Sequence, residues 1–201
     1  MRNEMSEQDR RRRRRRRRIQ VIIIYTAIAI SLAWFFESQA TTTIIFVRHA
    51  EKAASPAHDP GLSPAGQQRV AELTRQLVDA DVVAGVDAIY STPYRRTQET
   101  AKPIADALDL PVNTYDAEDV EPILEHILKQ HKGKIILVVA HSNTLPVLIA
   151  NLGASKKVTP IAEDEYDNIY IISIPWFGKT KTIRLRFGEP YMPPESPAPA
   201  T

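Results

Sequence analysis

The chain has no cysteine, an absence that removes disulfides, iron–sulfur clusters and thiolate catalysis. It is compatible with an oxidising compartment. Glycine is scarce, and its seven occurrences form no Gly-rich phosphate loop. No segment repeats. At 201 residues and 43% hydrophobic content, the length suits one domain with a sizeable core plus extensions and leaves no comfortable room for a second enzymatic domain.

Charge is present but unevenly spread. Residues 1–40 hold ten arginines (Arg2 and Arg10 to Arg18) against four carboxylates, a net +6 within an overall +2, which leaves the remainder at −4. A nine-arginine run on its own can read as a nucleic-acid arm. Here Ile19 to Phe36 follows it, apolar apart from Gln20 and a few hydroxyls, with Trp34, Phe35 and Phe36 at its far end. Cytoplasmic positive charge, an apolar stretch just long enough to span and interfacial aromatics together predict a membrane segment at 19–36 with the N-terminus inside. The basic residues 1–18 are then a cytoplasmic extension, and no nucleic-acid partner is expected. Ser38-Gln39-Ala40 has the small-residue spacing of a signal-peptidase site, so both a retained anchor and a cleaved leader stay open.

Beyond the anchor, Thr42 to Val47 is a buried-strand pattern that delivers Arg48 and His49 to its carboxyl end. Lys134 to Ala140 is a second such run, ending in His141. Two parallel strands built this way bring both imidazoles to one crevice, where open α/β sheets bind ligands. Between them, Ile89 to Ala101 reads as strand, turn and helix start carrying Arg95 and Arg96. Arginine near a helix amino end suits an anion through its fork of donors and the free backbone N–H groups. Two histidines and at least two arginines in one pocket point to phosphate.

Arg48-His49-Ala50-Glu51 resembles the Arg-His-Gly/Ala signature of the histidine phosphatase, or phosphoglycerate mutase-like, superfamily. Ser91 to Ala101 is similar to its second block, Val138 to Thr144 to its third, and Leu62 to Gln67 to its Leu-Ser/Thr-x-x-Gly-Gln helix start. The resemblance covers most of residues 42–187 and implies an α/β three-layer sandwich. Its central sheet is mostly parallel, with helices on both faces and an antiparallel edge hairpin. It implies a phosphomonoester hydrolase in which His49 is the nucleophile and Arg48, Arg96 and His141 bind the phosphoryl group. Spacing to Thr100-Ala101 matches Arg96, rather than Arg95, to the family arginine. The residue after His141 is Ser142, so the acid of the acid-phosphatase branch is absent; Asp116 is the first candidate for the general acid and Glu118 the next. The resemblance implies a small phosphorylated substrate and neither metal nor cofactor. A phosphomutase of the same superfamily and a non-catalytic, membrane-tethered phosphate or phosphoprotein sensor remain alternatives.

The rest of the chain reads as scaffold. Residues 52–61 form a loop in which Lys52 and His58 are the polar groups that could meet substrate. Ser63 and Pro64 open a helix with the stripe Val70, Leu73, Leu77. Pro103 should weaken or kink the helix after Arg96. Asn143 is the expected cap of the helix after His141. Asn168 to Ile174 and Thr180 to Phe187 predict a hairpin, and residues 188–201 a Pro-rich tail. The domain plan is 1–18, 19–36, 41–187 and 188–201. In a bacterium this puts the catalytic domain in the periplasm, on an inner-membrane anchor or free after cleavage.

Overall fold

The computed structural model describes residues 7–38, 41–79, 85–154 and 158–193. Gln39 and Ala40 of the cleavage motif, residues 155–157 and tail residues 194–201 lie outside the described residues.

The chain divides into two units, Met1–Ala40 and Thr41–Thr201. In the first, α1 (Glu7–Ser38) is a single helix. Its stretch Arg11–Phe36 is long and apolar enough to cross a membrane. Every side chain along that stretch is exposed.

The second unit is a six-stranded sheet in the order β3-β2-β4-β1-β5-β6. Its strands are β1 (Thr42–Arg48), β2 (Ala88–Ser91), β3 (Val112–Thr114), β4 (Ile135–Ala140), β5 (Asn168–Ile174) and β6 (Lys181–Arg186). The first four are parallel; β5 runs antiparallel to β1 and forms the edge hairpin with β6. This is the mostly parallel α/β sheet with an antiparallel edge pair that the resemblance implied.

Strand alternation explains the layers, since successive side chains point to opposite faces. Ile44, Phe46, Ile136 and Val138 share one core with Ile123, Leu124 and Ile127 of α4 (Val120–Gln130) and Leu145, Leu148 and Ile149 of α5 (Leu145–Asn151). Ile45, Val47, Leu137 and Val139 share the other with Leu73 and Leu77 of α2 (Pro64–Asp79) and Ala101, Ile104 and Ala105 of α3 (Arg95–Leu108). A strand buried on both faces has no use for polar alternation, which is why β1 and β4 read as continuous apolar runs. Each such side chain, fully buried, contributes about 1.5–3 kcal/mol.

Helix starts carry two findings. Ser63 Oγ accepts the Gly66 N–H at 3.1 Å, the expected cap of α2. At α5 the cap position is Thr144, not Asn143: Thr144 Oγ1 instead accepts the His141 N–H at 3.2 Å, because the turn after β4 has to satisfy that donor. α3 is one continuous helix that contains Pro103.

Candidate active site

β1 and β4 lie side by side with Arg48 opposite Ala140, and the His49 N–H continues the ladder to the Ala140 carbonyl at 3.0 Å. The next residue on each strand is therefore a histidine at the same end of the sheet. The His49 and His141 rings lie 5.3 Å apart at 62°. Both are buried, at 4% and 8% exposure.

Hydrogen bonding fixes which nitrogen of His49 faces out. Its Nδ1 lies 2.8 Å from the Ala50 carbonyl, which can only accept, so Nδ1 carries the proton and Nε2 keeps the free lone pair. Burial lowers the pKa of His49 to about 3; the Ala50 bond opposes this, and the charges of Arg48, His141 and Arg96 add to it. The ring is a neutral base with one available nitrogen. The Ala50 N–H in turn donates to Thr100 Oγ1 at 3.0 Å, and that hydroxyl donates to the Arg96 carbonyl at 2.7 Å. Thr100 thus ties the turn after His49 to the first turn of α3, which accounts for the Thr-Ala pair closing the second sequence block.

Arg48 Nη1 donates to the carbonyls of Ala162 (2.7 Å) and Glu165 (2.9 Å), and the Tyr166 ring lies 4.0 Å from its guanidinium carbon. Its Nε is buried with no partner among the described residues, a donor left for an anion. Arg96 lies over the Tyr94 ring at 4.5 Å, with Nη2 3.5 Å from His141 Nδ1 and Nη1 3.8 Å from Asp59. The same Asp59 carboxylate accepts the Arg95 N–H at the start of α3. Arg95 itself points to solvent and pairs with Glu99. On a helix of about 3.6 residues per turn only one of two adjacent arginines can face the pocket, and it is Arg96.

His141 Nε2 lies 2.9 Å from Thr92 Oγ1, which is 2.8 Å from Thr97 Oγ1. Burial, then Arg96 and Arg48, lower the His141 pKa to about 4.

These groups open into a cavity of about 450 Å³. Arg48, His49, Arg96 and His141 line it together with Asp116 and Glu118. Asp116 Oδ1 also accepts the Glu118 N–H at 3.0 Å and holds that turn. Lys52 lines the mouth and pairs with Glu163 at 3.5 Å. His58 is exposed and does not line it. Tyr94, Glu163, Asn143 and Ile161 line it too, and Thr92 and Tyr166 support it from behind; none of these was singled out from sequence, except Asn143 as a cap. Thr92 offered a faint signal, a hydroxyl just before Pro93 at the end of a strand. Residues 158–167 offered none, because the segment has neither periodicity nor motif. Among the described residues, no group of three or more His, Asp or Glu is placed to hold a metal ion.

Residues 44–118 match the family model of the histidine phosphatase superfamily (branch 1). No curated protein sequence matches the chain. Among solved structures, the protein histidine phosphatase SixA complexed with tungstate superposes with a TM-score of 0.57 at 18% identity, covering 72% of this chain and 96% of that one. A putative alpha-ribazole-5'-P phosphatase from Escherichia coli K-12 gives 0.55 at 17%, covering 77% and 99%. A phosphoserine phosphatase mutant from Entamoeba histolytica, in complex with phosphoserine, gives 0.52 at 18%, covering 73% and 96%. At such identities these structures speak to the fold, and the family match speaks to the motifs carried on it. Together they show that residues 44–118 carry the motifs of the histidine phosphatase superfamily, branch 1, on a fold shared with these solved structures.

Proposed function

We propose that the chain is a metal-independent phosphomonoesterase that works through a phosphohistidine on His49. The supporting observation is the convergence of two neutral, buried imidazoles and two guanidiniums on one cavity. His49 Nε2 attacks phosphorus in line; the N–P bond forms as the ester P–O bond breaks, and the leaving oxygen takes a proton from the Asp116–Glu118 pair. Water then attacks phosphorus, gives its proton back to that carboxylate, and the N–P bond breaks to release phosphate. Arg48 and Arg96 supply fixed positive charge to the equatorial oxygens, the role a divalent ion plays elsewhere. Phosphate dianion in the pocket raises the pKa of His141, so that Nδ1 donates to it.

We further propose that residues 19–36 anchor the enzyme, with 1–18 cytoplasmic, the 41–187 domain on the opposite side and 188–201 as a tail. In a bacterium that side is the periplasm. The anchor reading draws on the exposed apolar stretch of α1 and the arginines before it.

The test uses the full chain in detergent with an aryl phosphate. Turnover should fall by at least about a thousand-fold in His49→Ala. An acid-labile, alkali-stable phosphoprotein should accumulate on rapid quenching and vanish in the variant. Equal rates for the two proteins reject His49 as nucleophile.

A further inference from the structure

Two aromatic side chains stand at the tip of the β5–β6 hairpin: Trp176 is 56% and Phe177 89% exposed. Gly178 turns the chain back at φ 119°, a conformation L-residues avoid, and Lys179 and Lys181 follow, both exposed. Single exposed apolar side chains are ordinary on a protein surface. An adjacent Trp-Phe pair on a turn, with two ammonium groups beside it, has the composition of a bilayer interface.

Register places this tip at a particular end of the sheet. Ile174, the last residue of β5, pairs with Thr42, the first of β1. Thr42 follows Phe36, the close of the apolar run, by six residues, which reach at most about 20 Å even when extended. The active site lies at the other end, since His49 follows the last residue of β1, about 20 Å away at roughly 3.3 Å per residue.

We propose that the hairpin tip is a second membrane contact: Trp176 and Phe177 seat in the headgroup layer of the leaflet from which the anchor emerges, and Lys179 and Lys181 lie against lipid phosphates. The proposal rests on the reading of residues 19–36 as a bilayer span. Lipid is favoured over a protein partner because the covalent tether keeps this end of the sheet near the bilayer, and because the flanking charges complement anionic headgroups.

The chain has two tryptophans, so Trp34→Phe leaves Trp176 as the sole reporter. That full-length variant is placed in vesicles of phosphatidylcholine with a minority of phosphatidylglycerol, with or without bromine on the acyl carbons nearest the headgroup. Expected are resistance to carbonate extraction and quenching of Trp176 emission by about two-fold or more in the brominated vesicles. Adding Phe177→Ser should weaken the quenching, with extraction resistance and aryl phosphate turnover unchanged. Protein that resists extraction while Trp176 stays unquenched overturns the hairpin contact and leaves the anchor standing. Protein that carbonate removes overturns both. A concentration-dependent blue shift without bromine quenching assigns the tip to a protein contact and also overturns the proposal.

Discussion

At the scale of single residues, the proposed mechanism depends on keeping two imidazoles neutral among cations. His49 and His141 titrate near 3 and 4 in the folded protein, below the ordinary value of about 6.5. Between those values and 6.5 the unfolded chain binds more protons than the folded one, so stability rises with pH across this window and levels off above it. The urea midpoint should therefore drop between pH 7 and pH 4, and drop less in His49→Gln, which removes one of the two groups. Thr92 governs the second ring through its contact with Nε2. The Thr97 hydroxyl is within 2.7 Å of the Tyr94 carbonyl, which can only accept, so Thr97 donates there, Thr92 donates to Thr97 and His141 Nε2 donates to Thr92. Nδ1 is thereby left facing the anion site. Thr92→Val should cost about ten-fold in kcat/KM, the worth of one buried hydrogen bond, while Thr92→Ser restores most of it. A pH–rate profile in which the valine variant alone moves its acid limb would distinguish a change in His141 from a packing defect.

Among secondary elements, the connections between strands carry the functional groups, and the helices hold those connections in place. Gly66, in the first turn of α2, sits against the Glu51 carbonyl; a Cβ there would collide with that backbone oxygen, two residues beyond His49. The same carbonyl accepts the Ser63 N–H at 2.8 Å, so the start of α2 and the turn after His49 are one unit. Gly66→Ala should destabilise the protein by about 1–3 kcal/mol, the cost of overpacking, seen as a lower urea midpoint and accompanied by reduced turnover. This contact also shows what could be read before the fold was known. The apolar runs of β1 and β4, each ending in histidine, were legible because a doubly buried strand leaves little freedom in composition. Helical geometry made it legible that only one of Arg95 and Arg96 faces the pocket, and the resemblance, through the spacing to Thr100-Ala101, made that one Arg96. The grip on Arg48 by the Ala162 and Glu165 carbonyls was not, since backbone oxygens carry no sequence signature and their segment has no period. Asp59 at the start of α3 was hidden for the same reason: a cap supplied from a distant loop leaves no local spacing to find. Thr144 took the position given to Asn143 because the turn after His141 needed a hydroxyl for a backbone donor, a need visible only once β4 had an end.

For the whole molecule, the decisive asymmetry is charge along the chain. Nine consecutive arginines precede an apolar helix stretch, while the rest of the protein is net negative. Consecutive residues on a helix point about 100° apart, so the guanidiniums of Arg11 to Arg18 radiate on every side of α1 instead of marking one face. Like charges at i,i+3 and i,i+4 also oppose one another by about 0.2–0.5 kcal/mol per pair, a strain relieved when anionic headgroups surround the helix. On the proposed reading of residues 19–36 as an anchor, orientation in the membrane should be set by this run and not by residues 41–201, which carry no comparable charge block. Replacing Arg10 to Arg18 with glutamine should let a measurable fraction of molecules insert in the opposite sense. The expected readout is protease protection of residues 41–201 in intact cells: the native chain is degraded only after the outer barrier is opened, whereas the glutamine variant leaves a protected cytoplasmic population. Indistinguishable protection in the two proteins would mean that orientation comes from elsewhere in the chain.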